Sequence, residues 1–254
     1  MTATPASSAR DDTVTLAAIG VVAACLAATA HEAVGHGGAC LAVGGGVALL
    51  SNVFFHCQGG APIVDLAGPL GNLGMALVAL AGLLVWRGAG QASKLFLTAL
   101  LAFSAFWGAG YLLLCGLTGQ GDFAFWARDA LATPAAVWRP IMIAAGLGLY
   151  TGAVFVVARL APRGPAKRLR TIWLTGALIA IVAVLAFKGA GRAEAFKEAA
   201  QEIALASLPL WFIAGGVARR TALASPPLRR SWPWIWLATA TFALFVATLG
   251  HGLP

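Results

Sequence analysis

The chain has 254 residues, of which 60% are hydrophobic and only 10% charged, with a formal net charge of +8. A soluble domain carries about 25% charged residues, whereas repeated apolar runs of about 20 residues match a bilayer core about 30 Å thick, so a soluble globular fold is excluded. Nucleic-acid binding is not indicated either, because the basic residues sit in short loops between apolar runs, as Arg163, Lys167, Arg168 and Arg170 and again as Arg219, Arg220, Arg229 and Arg230, which is an orientation signal.

The expected fold is all-α, a polytopic membrane bundle of about seven transmembrane helices, with a short hairpin or re-entrant segment at about 46–62. Residues 1–12 read as a polar N-terminal tail, and no cleavable signal peptide is expected. The first span covers about 13–43, is unusually long and ends in HEAVGH. After it, VALLSNVFFHC has the β-branched and aromatic content of a short strand, punctuated on both sides by glycines. Further spans are expected at about 63–86, 94–117, 135–160, 170–188, 200–217 and 233–251, the third running into GLTGQGDF. Residues 13–125 then form a three-span core and 126–254 a four-span region with no role assigned.

Placing the basic loops inside makes the N-terminus cytoplasmic and the C-terminus external. The outer loops become the charge-free 44–62 stretch, the Asp122 loop and KGAGRAEAFKEAAQE. The location expected is an integral, multi-pass position in a bacterial cell membrane. Trp232, Trp234 and Trp236 suit an interfacial belt, and Arg139 suits a snorkelling position at a span edge. Cys25, Cys40, Cys57 and Cys115 lack CxxC spacing and are expected as packing thiols, although Cys40 and Cys57 both fall outside and can pair.

With loops removed, the ionisable residues at membrane depth are His31, Glu32, His36 and Asp65, with His56 and Asp122 near the boundary. Such residues cost several kcal/mol to insert (about 2.5–3.5 for Asp at mid-helix) and tend to be functional. His31 to His36 fall late in an outward-going span, Asp65 opens an inward-going one and Asp122 follows an outward-going one, so all can meet at one depth. Imidazole and carboxylate donors suit zinc, whose catalytic sites use three protein ligands and one water. Asp65 is also placed to cap the second helix, His56 reads as interfacial and His251 as a terminal polar residue. The alternative is a non-enzymatic transporter or assembly protein with a buried His/Glu/Asp cluster. Four histidines in the chain are too few for a histidine-box di-iron enzyme.

HEAVGH followed by PIVDLAGPLGNLGMAL resembles the intramembrane zinc metalloproteases of the site-2 protease family, over roughly residues 15–125. Those proteins carry HExxH on a membrane helix, and compact members carry AGPxxN, matched by Ala67, Gly68, Pro69 and Asn72. The resemblance implies that zinc is held by His31 and His36, with Glu32 as general base. Asp122 in GQGD stands where the family has an LDG-type aspartate and would be the third ligand. Asn72 would bind substrate backbone or support an oxyanion, and Gly68 and Pro69 would shape a helix start. The implied partners are the lipid bilayer and a membrane protein or peptide substrate, cleaved in or near the bilayer.

One departure is geometric. Histidines at i,i+4 lie about 40° apart on a helix, whereas His31 and His36, at i,i+5, lie about 140° apart on a regular one. A one-residue π-bulge would realign them, and Gly35, Gly37 and Gly38 ease such a distortion. Alternatively Glu32 and His36, which are at i,i+4, bind the metal directly. The other departure is the side of the membrane: the charge pattern puts the site towards the outside, whereas the family's site lies towards the cytoplasm. Either this chain is inverted or a span is miscounted, with 46–62 the place for such an error.

Overall fold

The computed structural model describes residues 10–86, 88–131, 133–219 and 226–253. Residues 1–9 of the polar tail, Arg87 and Arg220 lie outside the described residues. Among those described, six helices are long and apolar enough to cross a membrane: α1 (Thr13–Ala42), α2 (Ile63–Val85), α3 (Gln91–Thr118), α5 (Ala135–Leu160), α6 (Lys167–Ala186) and α9 (Trp232–Gly250). Between them lie the strands β1 (Gly46–Leu50) and β2 (Phe55–Gln58) and the shorter helices α4 (Asp122–Ala130), α7 (Arg192–Ala199) and α8 (Pro209–Arg219). The protein is thus an all-α helical bundle with one small hairpin, and its six long helices are apolar enough for insertion in a membrane.

Helix α1 is the central rod. It begins where Asp12 accepts the Thr15 N–H at 2.8 Å, satisfying one of the first-turn donors. Over residues 14–28 its sides are almost wholly apolar, and Leu16, Ile19, Ala23 and Ala27 are fully buried, as expected of a helix enclosed by others. Small residues let its neighbours close in: a Cβ on Gly20 would lie 2.4 Å from the Ile172 carbonyl oxygen of α6. One apolar core runs from α1 through α3, α6 and α9, so residues 13–125 and 126–254 are packed together. The periphery carries large apolar side chains turned outward, among them Leu77, Ile141, Phe155, Leu185 and Leu244. Lipid accommodates such a surface.

The segment expected as a span at 200–217 is broken instead. Helix α7 continues as a π-helical stretch, Ala200–Leu205, and the 11-residue α8 starts only at Pro209. A proline disfavours helical backbone in the residue before it, and the chain turns at 206–208.

At one end of the bundle the β1–β2 hairpin pairs antiparallel, Val47 with Cys57 and Leu50 with Phe55, with an irregularity between Val47 and Leu49. A disulfide between Cys40 near the end of α1 and Cys57 on β2 ties the hairpin to the helix, which corrects the expectation of packing thiols for these two; Cys25 and Cys115 are free and buried. The end of the chain ties in as well, Leu50 and Leu253 exchanging two backbone bonds of 2.8 Å. At the opposite end, Arg168 is buried and grips Asp11, with Nη2 2.7 Å from Oδ1. Burial raises the Asp11 carboxyl, but the guanidinium and the Leu228 N–H outweigh it and hold the group below its ordinary range. Arg139 does more than snorkel: its guanidinium donates to the Gly116 and Leu117 carbonyls at the end of α3, groups a helix terminus leaves unpaired.

Candidate metal centre

HEAVGH lies in a π-helical stretch, Ala30–Gly37, inside α1. There the Gly38 N–H reaches the Ala33 carbonyl, five residues back. The wider turn brings His31 and His36 onto one side, with their Nε2 atoms 3.2 Å apart. The distortion is held by packing against α2. A Cβ on Gly35 would lie 2.5 Å from the Ala67 carbonyl oxygen, and one on Gly71 would lie 2.2 Å from that of Ala30. Gly35 of HEAVGH and Gly71 of AGPLGN therefore let two backbones touch. Pro69 does not shape the start of α2, which begins at Ile63, but lies inside it and is buried.

Asp122 arrives from a tight connection. Gly119 caps α3 with φ 72° and Gly121 has φ 91°, the left-handed region that glycine tolerates. A Cβ at Gly121 would also meet the Tyr111 hydroxyl at 2.7 Å. The turn sets Asp122 Oδ2 3.1 Å from His31 Nε2 and 3.2 Å from His36 Nε2.

The three atoms thus form a near-equilateral triangle. Ligands placed tetrahedrally at about 2.0–2.1 Å from one centre are separated by about 3.3 Å, close to these edges. The hydrogen bonds behind the triangle point the same way. His36 Nδ1 lies 2.7 Å from the Val64 carbonyl oxygen; a carbonyl only accepts, so Nδ1 carries the proton. In the neutral ring the Nε2 lone pair then faces the Asp122 carboxylate, an arrangement that a cation between them makes favourable. His31 Nδ1 stands 3.1 Å from the Asn72 amide nitrogen, and the Asn72 Oδ1 has no hydrogen-bond partner. Half a turn of that amide presents its oxygen to Nδ1–H and leaves Nε2 free to bind a cation. The rings are also stacked, His31 on Trp107 with centroids 4.4 Å apart and His36 on Phe55 with centroids 5.2 Å apart. His31, His36 and Asp122 can hold a metal ion.

Glu32 is 2% exposed, and its Oε2 has no hydrogen-bond partner among the described residues. It lines the same cavity of about 560 Å³ as His31, His36 and Asp122. Asn72 does not line that cavity; it is buried behind His31, which favours a positioning role over contact with substrate. Asp65 lies in the first turn of α2, whose N-cap residue is Pro62, and borders the cavity. His56 is exposed on β2, away from the triangle.

Sequence reasoning missed Glu198 and Glu202, which also line the cavity. Glu202 fell inside an expected span, and that was the available signal. Replacing Asp122 by Ala is expected to lower metal affinity by at least about 100-fold, since even supporting groups around a metal are worth about 10–100-fold. Asp65→Ala should leave affinity within about twofold, because Asp65 lies outside the triangle; competition with a fluorescent chelator measures both. Compared with models of protein families, with curated proteins and with solved structures, the chain finds no match.

Proposed function

We propose that the protein is a zinc-dependent intramembrane metalloprotease, hydrolysing peptide bonds of membrane-embedded substrates. One observation carries the reading: two imidazole Nε2 atoms and a carboxylate oxygen converge within 3.1–3.2 Å of one another, beside a buried glutamate on the cavity wall whose Oε2 has no hydrogen-bond partner among the described residues. Two nitrogens and one oxygen are a donor set that zinc accepts in hydrolytic sites, with a coordination position left for water. When bound, zinc supplies a water of pKa about 7 and polarises a carbonyl.

The chain's own residues supply the rest. His36 is fixed by the Val64 carbonyl and Phe55, and His31 by Asn72 and Trp107, so both ligands are set before an ion arrives. Glu32 takes a proton from the attacking water at Oε2 and gives it to the leaving nitrogen as the C–N bond breaks. The cavity is walled by the hairpin, by the Asp122 turn and by the Glu194–Glu202 segment, the three stretches expected on the outer side. The disulfide at this end supports an outward-facing site, since such bonds persist in oxidising compartments.

Protein purified in detergent is expected to hold about one zinc per chain. Phenanthroline should abolish its cleavage of apolar test peptides of about 20 residues, and added zinc should restore it. A metal-free protein, or cleavage indifferent to the chelator, overturns the reading and leaves the non-enzymatic membrane protein.

A further inference from the structure

The cavity has a second wall that hydrolysis does not use. Glu194, Glu198 and Glu202 follow one another at four-residue spacing along α7 and its π-helical extension, and all three line the cavity that holds Glu32 and the metal triangle. Burial deepens along this ladder. Glu194 is exposed, Glu198 half-buried and Glu202 only 8% exposed. The neighbouring cation, Lys197, is bonded to Glu194 at 2.7 Å. Among the described residues no hydrogen bond or ion pair reaches the Glu202 carboxyl. Carboxylates withdrawn from water without a counter-charge are costly, and a cation brought in by a ligand would compensate that cost.

A second cavity, of about 390 Å³, says which kind of cation fits. Its walls include Trp107, Leu117, Tyr150 and Leu205, and it meets the first cavity at Tyr111, Leu114, Glu198, Gln201 and Glu202. The acids thus stand at the neck between an apolar chamber and the polar site. A lysine or arginine side chain has that same character, an apolar stem with a charged head. A bare metal ion at the neck would leave the apolar chamber without a purpose. We infer that Glu202, assisted by Glu198, binds a lysine or arginine side chain of the peptide and makes the protein selective for substrates with a basic residue beside the cleaved bond. The inference rests on the cavity being a peptide-cleaving site.

Equilibrium binding tests it without turnover, in protein carrying Glu32→Gln throughout so that no peptide is consumed. The probes are fluorescent apolar peptides of about 20 residues that end in lysine, acetyl-lysine, glutamine or glutamate. The lysine peptide is expected to bind about tenfold tighter than the acetyl-lysine and glutamine peptides, the effect of one hydrogen bond to a charged group. Adding Glu202→Gln should erase that preference, and Glu198→Gln should reduce it, with the metal content unchanged. Equal affinities, no measurable binding of any peptide, or a preference that survives both substitutions overturns the inference. Should Glu202→Gln fail to fold, the acetyl-lysine comparison in protein with Glu202 intact still decides. A lysine preference in a protein that proves unable to cleave would retain the cation site and discard the hydrolase.

Discussion

Replacing Glu32 by Gln is expected to leave about one metal per chain in place and to lower turnover of a cleavable peptide by about 10²–10⁴-fold, the usual worth of a positioned general base. Glutamine has nearly the same shape, so the packing around a side chain that is 2% exposed is kept. What changes is a single capacity, that of accepting and returning a proton. The Oε2 atom makes no hydrogen bond among the described residues, so the substitution breaks none there. Metal content and turnover, measured on the same preparation, separate two ways of accommodating the unusual histidine spacing. If Glu32 and His36 were the ligands, Glu32→Gln would empty the site. Because the π-helical stretch already brings His31 Nε2 and His36 Nε2 to 3.2 Å, the proposal has the histidines as ligands, and on it the metal should stay. Loss of the metal in this variant would transfer Glu32 to the ligand set and leave the reaction without a base.

Which parts of this were legible in the letters follows from what each depends on. Long apolar runs are a local property with one physical solution in a bilayer, every backbone group bonded within its own helix. Accordingly α1, expected at about 13–43, spans Thr13–Ala42, and α5 spans the expected 135–160. The extra residue in HEAVGH could be read as a π-helical distortion because only such a distortion satisfies both histidines. Asp122 was legible through the glycines around it and its place in chain order. What escaped depends on partners distant in sequence. Cys40 and Cys57 pair because β2 returns beside the turn that closes α1, where the Gly45 N–H bonds the Cys40 carbonyl, which composition does not reveal. Asn72 could be placed near the site by its motif, but its turn towards His31 Nδ1 is a matter of packing. Glu194 and Glu198 read only as part of a mixed-charge outer loop, and Glu202 stands at the edge of an expected span. They come to border the site only because α7 folds back over the cavity.

The distance dependence of packing gives a sharper test than any ligand substitution, because it removes no donor atom. Gly68→Ala is expected to reduce metal occupancy from about one per chain to near zero, a loss of the kind seen when a ligand is removed. A Cβ at residue 68 would stand 2.1 Å from His36 Nε2 and 2.5 Å from its Cε1, well inside contact distance. The methyl group would thus strike the ring at the atom that has to meet the ion. The ring has little room to retreat: Nδ1 is held by the Val64 carbonyl, and Phe55 is stacked against its face. Moving α2 away instead would open the contacts that Gly35 and Gly71 make possible between α2 and the π-helical stretch. Helix propensity runs the other way, favouring Ala over Gly by about 1 kcal/mol in a helix interior. Gly74→Ala on the same helix is the control, since nothing lies within 4 Å of its added Cβ; it should bind metal normally and unfold at the same or a slightly higher temperature. Elemental analysis and thermal unfolding in detergent, run on both variants, separate a displaced ligand from a misfolded helix. A Gly68→Ala protein with full metal content would mean that His36 does not face α2 at this point, and the triangle of His31, His36 and Asp122 would have to be abandoned with it.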